Sequence, residues 1–256
     1  MLIALTREIS SAIAKCELTH LPRVPIDIDR ARAEHRDYED ALSAAGCSVT
    51  RLPSGEGLPD SVFIEDAAVV FDELAIITLP GAESRRRETP RVADELSRYR
   101  TLRFIEPPAT LEGGDVLVVD RRVYVGRSSR TNKGGVAEMQ MMLAVVNYSI
   151  TPVEVTGCLH LKSAVTAVGD RLLLINPKWV KRDTFVGCDV VDVDPAEPFA
   201  ANALKVGDQV IYPATFPRTA ERLQSRGVRL RIIDVSELAK AEGAVTCCSL
   251  IFESRM

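Results

Sequence analysis

Apolar and polar positions along the chain repeat in a strand, turn, strand order. In each of four segments a polar residue leads into an apolar run, a turn at Asp or Gly-Asp follows, and a second apolar run begins. This pattern predicts four β-hairpins. The four are FIEDAAVVFDELAIIT (63–78), TLEGGDVLVVDRRVYVG (110–126), HLKSAVTAVGDRLLLIN (160–176) and FAANALKVGDQVIYP (199–213). A fifth run, TCCSLIFES (246–254), lacks a following partner, and we expect the N-terminal LIALTRE (2–8) to pair with it.

Segments of helical character alternate with these hairpins, and a short strand candidate follows each of them. The helical segments are RAEHRDYEDALSAAG (32–46), SRRRETPRVADELSRY (84–99), TNKGGVAEMQMMLAVVNY (131–148) and PRTAERLQSRG (217–227). The strand candidates are SVTRLP (48–53), LRFIE (102–106), PVEVT (152–156) and VRLRIID (228–234). The chain therefore reads as about five ββαβ units of about 45 residues, each too small to bury its own faces without its neighbours.

Five stacked units without obvious capping repeats predict a closed α/β ring with fivefold pseudo-symmetry. The ring would form a single domain over residues 1–256, fastened by the two chain ends. An open α/β sheet with accidental periodicity is the alternative, although no GxGxxG or Walker motif supports a nucleotide-binding version of it.

Composition narrows the class of protein. The chain has 46% apolar and 27% charged residues with a formal charge of -4, which is ordinary for a globular protein and argues against nucleic-acid or membrane partners. The first residues do not form a signal peptide, and no apolar run reaches the roughly 18 residues that span a bilayer. Six scattered cysteines without an export signal indicate reduced thiols in a cytoplasmic protein. No CxxC motif, HExxH motif or closely spaced Cys/His pair occurs, which argues against a metal site.

One polar residue leads each repeated unit. These residues are Asp66, Glu112, His160, Asn202 and Cys247, with separations of 46, 48, 42 and 45 residues. Each taken alone is most simply a packing, turn or strand-end residue. In a ring of equivalent units, however, equivalent positions converge on the axis, so we expect these side chains to meet.

A cysteine, a histidine and a carboxylate supply a nucleophile, a proton carrier and its orienting partner. Glu65 and Asp66 would make the pocket around Cys247 acidic. An acidic pocket beside a thiolate selects a cationic electrophile, and the planar guanidinium pairs well with carboxylates. A carbonyl substrate would instead require N–H donors around the oxyanion.

At these residues the sequence resembles the dimethylarginine dimethylaminohydrolase family of the guanidino-group-modifying (pentein) superfamily. The matching stretches occur in the family's order and cover nearly the whole chain. They are CELTHLPRVPIDIDRARAEHRDYEDAL, LPDSVFIEDAAVVF, PGAESRRRE, LEGGDVLV, GRSSRTNKGG, HLKS and TCCSLIF. Two positions depart from the family's pattern, since Ala244 stands where a second Gly is frequent and Cys248 where another apolar residue is usual.

The resemblance implies a five-bladed α/β propeller and hydrolysis of Nω-methylated L-arginine to citrulline and a methylamine without a cofactor. It makes Cys247 the nucleophile, His160 the general acid and base, and Glu112 the carboxylate that holds His160 and the guanidinium. The resemblance implies five substrate-binding residues, which are Asp66, Asp60, Arg85, Arg130 and Leu18, the last on a mobile loop over the pocket. Glu65, the acidic neighbour of Asp66 inferred above, is expected to bind the substrate as well. The sequence leaves open whether the chain forms a homodimer.

Adjacent residues of a β-strand point to opposite faces. The run TCCSLIFES predicts a buried strand that includes Cys247 and Cys248, so if Cys247 faces the axis, Cys248 fills the packing behind it. The remaining alternatives are an arginine deiminase-like or citrulline-cleaving enzyme, a non-catalytic binder of arginine-like ligands, a Cys/His zinc protein and a cysteine peptidase.

Overall fold

The protein contains five three-stranded sheets within residues 1–254. The structure is a computed structural model and describes these residues. The strands are β1 (Leu2–Arg7), β2 (Ser48–Leu52), β3 (Ala68–Val70), β4 (Leu74–Ile77), β5 (Thr101–Phe104), β6 (Val116–Val119), β7 (Arg122–Arg127), β8 (Ser149–Glu154), β9 (Val165–Ala167), β10 (Leu172–Ile175), β11 (Asp189–Asp192), β12 (Leu204–Val206), β13 (Gln209–Pro213), β14 (Leu230–Ile233) and β15 (Leu250–Glu253). The α-helices are α1 (Ile28–Ala44), α2 (Thr89–Leu96), α3 (Lys133–Ala144), α4 (Leu161–Ala164), α5 (Pro217–Ser225) and α6 (Ser236–Ala239). None of the helices in residues 1–254 has the length and hydrophobicity that spanning a bilayer requires.

Every sheet has the same internal order. Its first strand is antiparallel to the second, as in a hairpin, and its third strand returns parallel to the second. In the sheet β3-β4-β5, for example, Ala68 pairs with Ile77 and Leu74 pairs with Thr101. A parallel return requires a crossover connection, which an α-helix between the second and third strands supplies in four of the five sheets. The ββαβ repeat predicted from the sequence is confirmed.

Both ends of the chain share one sheet. Strand β15 pairs antiparallel with β1, with Leu2 opposite Glu253, and β1 pairs parallel with β2, with Ile3 opposite Ser48. The last unit therefore takes two of its three strands from the N-terminal region. This pairing closes the ring as the sequence predicts.

Apolar residues of neighbouring units pack into five buried clusters around the ring. Helix α1 illustrates why such a segment folds as it does. Asp27 caps its first turn by accepting hydrogen bonds from the amides of Asp29 and Arg30, and Tyr38 and Leu42, four residues apart, are buried on one face.

Two local predictions are wrong. No α-helix joins β10 to β11, where only a 3-10 turn, Arg182–Thr184, replaces the expected crossover helix. The segment between Pro177 and Gly187 has no apolar residues spaced three or four apart, so no apolar helix face is available to pack on the sheet. Cys247 also lies outside a strand, because β15 begins three residues later, at Leu250.

Candidate active site

Short helical turns, rather than strands, carry the leading residues of the units. Asp66 lies in the 3-10 turn Ile64–Ala67, and Glu112 immediately precedes another, Gly113–Asp115. His160 directly precedes the one-turn helix α4, and the amide of Cys247 donates to the carbonyl of Ala244 in a turn. Each turn lies directly before the first strand of its unit or a few residues before it. The side chains of these four leading residues therefore lie at the same end of the ring.

Glycines allow two of these turns to approach closely. A Cβ atom at Gly113 would lie 2.0 Å from the carbonyl oxygen of Glu65. A Cβ at Gly114 would lie 2.8 Å from both Oδ1 of Asp66 and Nδ1 of His160. Real Cβ atoms do not come this close, so the Gly-Gly pair is required for the contact between the first three units.

His160 and Glu112 form a buried hydrogen-bonded pair, with 2.7 Å between Nε2 of the imidazole and Oε2 of the carboxylate. Burial lowers the pKa of His160, but the charge of Asp66 and the bond to Glu112 outweigh it and raise the pKa to about 9. Burial acts against ionisation of Glu112, yet the hydrogen bond to His160 lowers its pKa overall. The resting pair is therefore an imidazolium and a carboxylate at neutral pH.

The carboxylate of Asp66 is fully engaged. Its Oδ1 accepts from the amide of Gly114 at 3.0 Å and its Oδ2 accepts from Nη1 of Arg85 at 2.7 Å. Burial opposes ionisation, but the charges of His160 and Arg85 lower the pKa of Asp66 to about 2. This anion already holds a guanidinium, which is the interaction predicted for the substrate.

Cys247 is half-buried and lines the same cavity as Asp66 and His160. Burial and the negative charges of Glu65 and Asp66 raise the pKa of its thiol. At rest the side chain is therefore a neutral thiol, and a cation beside it would favour the thiolate.

Cys248 is buried in the cluster that contains Tyr38 and Leu42, and its sulfur lies 3.7 Å from the carbonyl oxygen of Ala244. The different environments of Cys247 and Cys248 agree with the sequence prediction. The reason given for it was wrong, because the turn rather than strand alternation separates the two thiols.

Arg85 and Arg130, predicted to bind a substrate carboxylate, both line the cavity. Besides Asp66, the guanidinium of Arg85 contacts Glu88, with 2.9 Å between Nη2 and Oε2. Arg130 is less constrained, since its Nη1 lies 3.5 Å from Oε1 of Glu112 and its Nη2 donates to a threonine hydroxyl at 3.2 Å. Arg130 is thus the arginine more readily available to a ligand.

A loop formed by residues 16–24, here called the lid loop, covers the cavity. Its Glu17 lines the cavity and donates its amide to both carboxylate oxygens of Asp60, at 3.2 Å each. Leu18 packs against the core cluster under this loop and does not contribute to the cavity wall. The enclosed space is about 20 Å³, room for about one water molecule, so a larger ligand requires the lid or the walls to move.

Glu65 faces away from this cavity. Its carboxylate accepts from Nζ of Lys162 at 2.7 Å and from the hydroxyl of Thr246 at 2.8 Å. All three residues line a separate cavity of about 470 Å³. The structure therefore does not bring Glu65 to the predicted substrate, although its charge still acts on Cys247.

Asn202, which leads the fourth unit, also points elsewhere. Its side-chain amide donates to the hydroxyl of Thr246 at 3.0 Å, and its carbonyl oxygen accepts from the amide of Thr246 at 3.1 Å. Asn202 therefore fixes the residue that precedes Cys247 and has no place in the chemistry.

Several residues around the site were missed by the sequence argument. Asp115 is buried and accepts from the amide of Leu161 at 2.9 Å and the hydroxyl of Ser128 at 2.6 Å, which orients the turn after His160. Its place in the GGD turn was a usable signal. The other cavity-lining residues that gave no sequence signal are Glu17, Phe63, Leu159, Ala241 and Glu242.

Within residues 1–254, Asp66, Glu112 and His160 form one set of donors close enough to hold a metal ion, with all three atoms within 4.8 Å. Two features work against a cation there. The raised pKa keeps His160 protonated, and a ligating imidazole must be neutral. The guanidinium of Arg85 already neutralises Asp66.

Comparisons with known proteins agree with this geometry. The family model described as "N,N dimethylarginine dimethylhydrolase, eukaryotic" matches residues 23–249. The N(G),N(G)-dimethylarginine dimethylaminohydrolase of Pseudomonas aeruginosa is 36% identical over 88% of this chain and 90% of its own. The enzyme of that name from Streptomyces coelicolor is 37% identical over 96% of this chain and 95% of its own.

The fold agrees as closely as the sequence. A solved structure of the Pseudomonas aeruginosa protein, a cysteine-to-serine variant in complex with citrulline, superposes with a TM-score of 0.93 at 34% identity. It covers 97% of this chain and 98% of that one. The resemblance and the propeller fold expected from the sequence are both confirmed, and the chain belongs to the dimethylarginine dimethylaminohydrolase family.

Proposed function

We propose that this protein hydrolyses Nω-methylated L-arginines, namely asymmetric dimethylarginine and monomethylarginine, to L-citrulline and dimethylamine or methylamine. The observation that carries the proposal is the shared cavity of Cys247 and His160, walled by carboxylates and arginines. This arrangement offers a thiol, a proton donor and anions to a cationic substrate with an α-carboxylate. The citrulline complex of the Pseudomonas aeruginosa relative supports citrulline as the product.

Substrate binding activates the nucleophile. The substrate guanidinium brings a positive charge next to a thiol whose pKa is raised by burial, Glu65 and Asp66. That charge offsets the two anions, so the thiol loses its proton to solvent and the thiolate forms. Glu112 and Asp66 then hold the guanidinium with its central carbon about 3–3.5 Å from the sulfur. Because Arg85 occupies Asp66 in the closed cavity, it must shift when the substrate binds.

The chemistry proceeds in two halves. The thiolate of Cys247 adds to the guanidinium carbon, and the imidazolium of His160 gives a proton to the departing methylated amine. A covalent thiouronium remains on the sulfur. His160, now neutral, removes a proton from water and becomes the imidazolium again, while the resulting hydroxide adds to the same carbon. The C–S bond then breaks, the hydroxyl proton passes to the departing sulfur, and citrulline and the thiol are released. Glu112 stabilises the imidazolium at both ends of the cycle.

The amino-acid end of the substrate would lie under the lid loop. Arg130 and Arg85 supply positive charge for the α-carboxylate, and Asp60 supplies negative charge for the α-ammonium. Leu18 would contribute through the lid loop that carries it, since its side chain packs against the core and not into the cavity. These roles rest on the resemblance and on the position of the three charged residues in the cavity.

The five units would work as one catalytic domain over residues 1–256, of which the last two lie outside the described residues. Residues of four units line or support the cavity, which favours this domain assignment over independent units. Cytoplasmic location, assembly as a homodimer and the lack of nucleic-acid or membrane partners remain predictions from the sequence.

Replacing Cys247 tests the proposal. We expect Cys247→Ser to lower citrulline formation from asymmetric dimethylarginine by at least about a thousandfold while methylarginine binding is retained. Cys188→Ser is the matched control, since this half-buried thiol packs against a core cluster away from the cavity. Substantial turnover by Cys247→Ser would rule out covalent catalysis at this thiol. Parallel assays with unmodified arginine and with citrulline separate the proposal from a deiminase-like or a citrulline-cleaving enzyme.

A further inference from the structure

Glu242 connects the lid loop to the wall of the cavity. Its Oε1 accepts hydrogen bonds from the amides of Thr19, His20 and Leu21, at 2.9, 2.5 and 2.6 Å. Hydrogen bonds to an ionised acceptor are stronger than neutral ones, and here three converge on one oxygen. This carboxylate therefore holds the lid loop against a segment more than 200 residues away in sequence.

The backbone at Glu242 is held in an unfavourable conformation. Its φ of 57° lies in the left-handed region, which residues other than Gly, Asn and Asp seldom occupy. The following Gly243 is packed so tightly that an added Cβ would lie 2.2 Å from the ring of Phe63. Strained positions of this kind cluster at functional sites, where the side chain's placement justifies the strain.

The second oxygen of Glu242 has no partner. Oε2 is buried and accepts no hydrogen bond from any residue that the structure describes. Glu242 lines the cavity that contains Cys247, together with Asp60 and Arg130. A buried carboxylate oxygen without a donor is unfavourable, so it indicates a position for a donor that arrives from outside the chain.

We infer that Glu242 is a further substrate-binding and positioning residue, whose Oε1 closes the lid loop while Oε2 accepts the α-ammonium of the substrate. This inference rests on the proposed function. The guanidinium end of a methylarginine would lie at Asp66 and Cys247, so the ammonium belongs at the opposite end of the cavity, by the lid loop. There Asp60 shares the single lid amide of Glu17 between its two oxygens, while Oε2 of Glu242 accepts nothing from the described residues, so Glu242 offers a second acceptor beside Asp60.

One carboxylate that contacts both loop and ligand couples their binding. A bound ammonium completes the hydrogen bonding of Glu242 only when the loop is closed over it, so the ligand stabilises the closed state. A guanidine that lacks the α-ammonium leaves Oε2 unpaired and gains nothing from this contact. Glu242 would thus favour free amino acids over other methylated guanidines.

The test compares Glu242→Gln and Glu242→Ala with Glu83→Gln. Glu83 is an exposed acid on the turn that carries Arg85, so it controls for the loss of one negative charge near the site. Calorimetry in a Cys247→Ser background measures binding without turnover. The two probes are Nω,Nω-dimethyl-L-arginine and the same molecule without its α-amino group. Hydrogen exchange of the lid amides 19–21, followed without ligand, reports lid closure independently of any activity.

We expect Glu242→Gln to weaken binding of dimethylarginine by about 10- to 100-fold and binding of the desamino probe by less than about twofold. Glu242→Ala should speed exchange of the lid amides at least about tenfold, with a smaller increase in Glu242→Gln, which keeps an acceptor oxygen. Glu83→Gln should change neither quantity. Equal weakening for both probes, or no weakening for either, would overturn the ammonium contact, and unchanged exchange in Glu242→Ala would overturn the lid contact. A wild-type protein that binds dimethylarginine but forms no citrulline would contradict the proposed function alone.

Discussion

Replacing Glu112 by Gln should lower the pKa of His160 while leaving the shape of the side chain almost unchanged. Burial alone would lower this pKa, so the value of about 9 depends on the charge of Asp66 and on the hydrogen bond and charge of Glu112. The rise from 6.5 to about 9 corresponds to about 3 kcal/mol of preferential stabilisation of the imidazolium. Loss of one contacting charge and its hydrogen bond is worth about 1 to 3 pH units, so we expect the variant's His160 to titrate between about 6 and 8.

Nuclear magnetic resonance of ¹³C-labelled histidine measures this directly, because the chain has three histidines. His160→Ala identifies the resonance of interest. His35 serves as an internal control, since burial lowers its pKa to about 4 and its ring faces Glu39 rather than Glu112. A wild-type His160 that titrates at or below 6.5, or that keeps its pKa in Glu112→Gln, would refute the electrostatic reasoning.

The pH dependence of the unfolding free energy should report the same raised pKa of His160. The pKa of His160 is higher in the folded protein than its ordinary value of 6.5, so its stabilising contribution is complete below pH 6.5. That contribution is lost as the pH rises through about 9, and it amounts to about 3 kcal/mol in total. Chemical denaturation between pH 6.5 and 9 should therefore show a smaller loss of unfolding free energy in Glu112→Gln than in the wild type.

Two further predictions concern the close packing and the charge of the site. Gly114→Ala should reduce kcat by at least about a hundredfold in a steady-state citrulline assay, because the new Cβ displaces Asp66 and His160; wild-type kcat would contradict the contact. In native alkylation mapped by mass spectrometry, Cys247 should react in preference to the buried Cys248, and faster with a cationic reagent than with an anionic one. Preferential labelling of Cys248 would contradict the assignment of Cys247 as the reactive thiol, and a preference for the anionic reagent would show that the cavity is not acidic.

The repeat was readable in the sequence because each unit has to bury the same faces. Alternating apolar runs around Asp72 and Asp120 set the hairpins, and a run without a following partner at 246–254 indicated that the N-terminal strand completes the ring. The crossover from β10 to β11 was not predictable in this way, since the segment between Pro177 and Gly187 carries no helical periodicity and takes its shape from its neighbours.

The candidate site was predictable only in part. Equivalent positions in a ring converge, which is why Asp66, His160 and Cys247 could be placed together from their spacing. The spacing of residues does not predict the direction of a side chain within a turn. Glu65 is adjacent to Asp66 but points into another cavity, because Lys162 attracts its carboxylate, and no spacing rule contains that information.

Contacts between segments far apart in sequence gave no signal at all. Glu242 accepts from three lid amides, and Asp60 accepts from a fourth, so the lid is attached by carboxylates that bind backbone groups. Backbone donors leave no trace in the residue types of the lid loop. Such contacts become visible only when the fold brings the two segments together.

Acid-quenched mass spectrometry tests the central claim, a covalent bond between Cys247 and the guanidinium carbon of the substrate. The wild-type protein is mixed with monomethylarginine or with asymmetric dimethylarginine, quenched during turnover, digested and mapped. We predict an adduct on the peptide that contains Cys247, with the same mass from both substrates, because the methylated nitrogen leaves before the intermediate accumulates. An adduct mass that differs between the two substrates, an adduct on another residue, or citrulline formation without any adduct in a single turnover would contradict the claim.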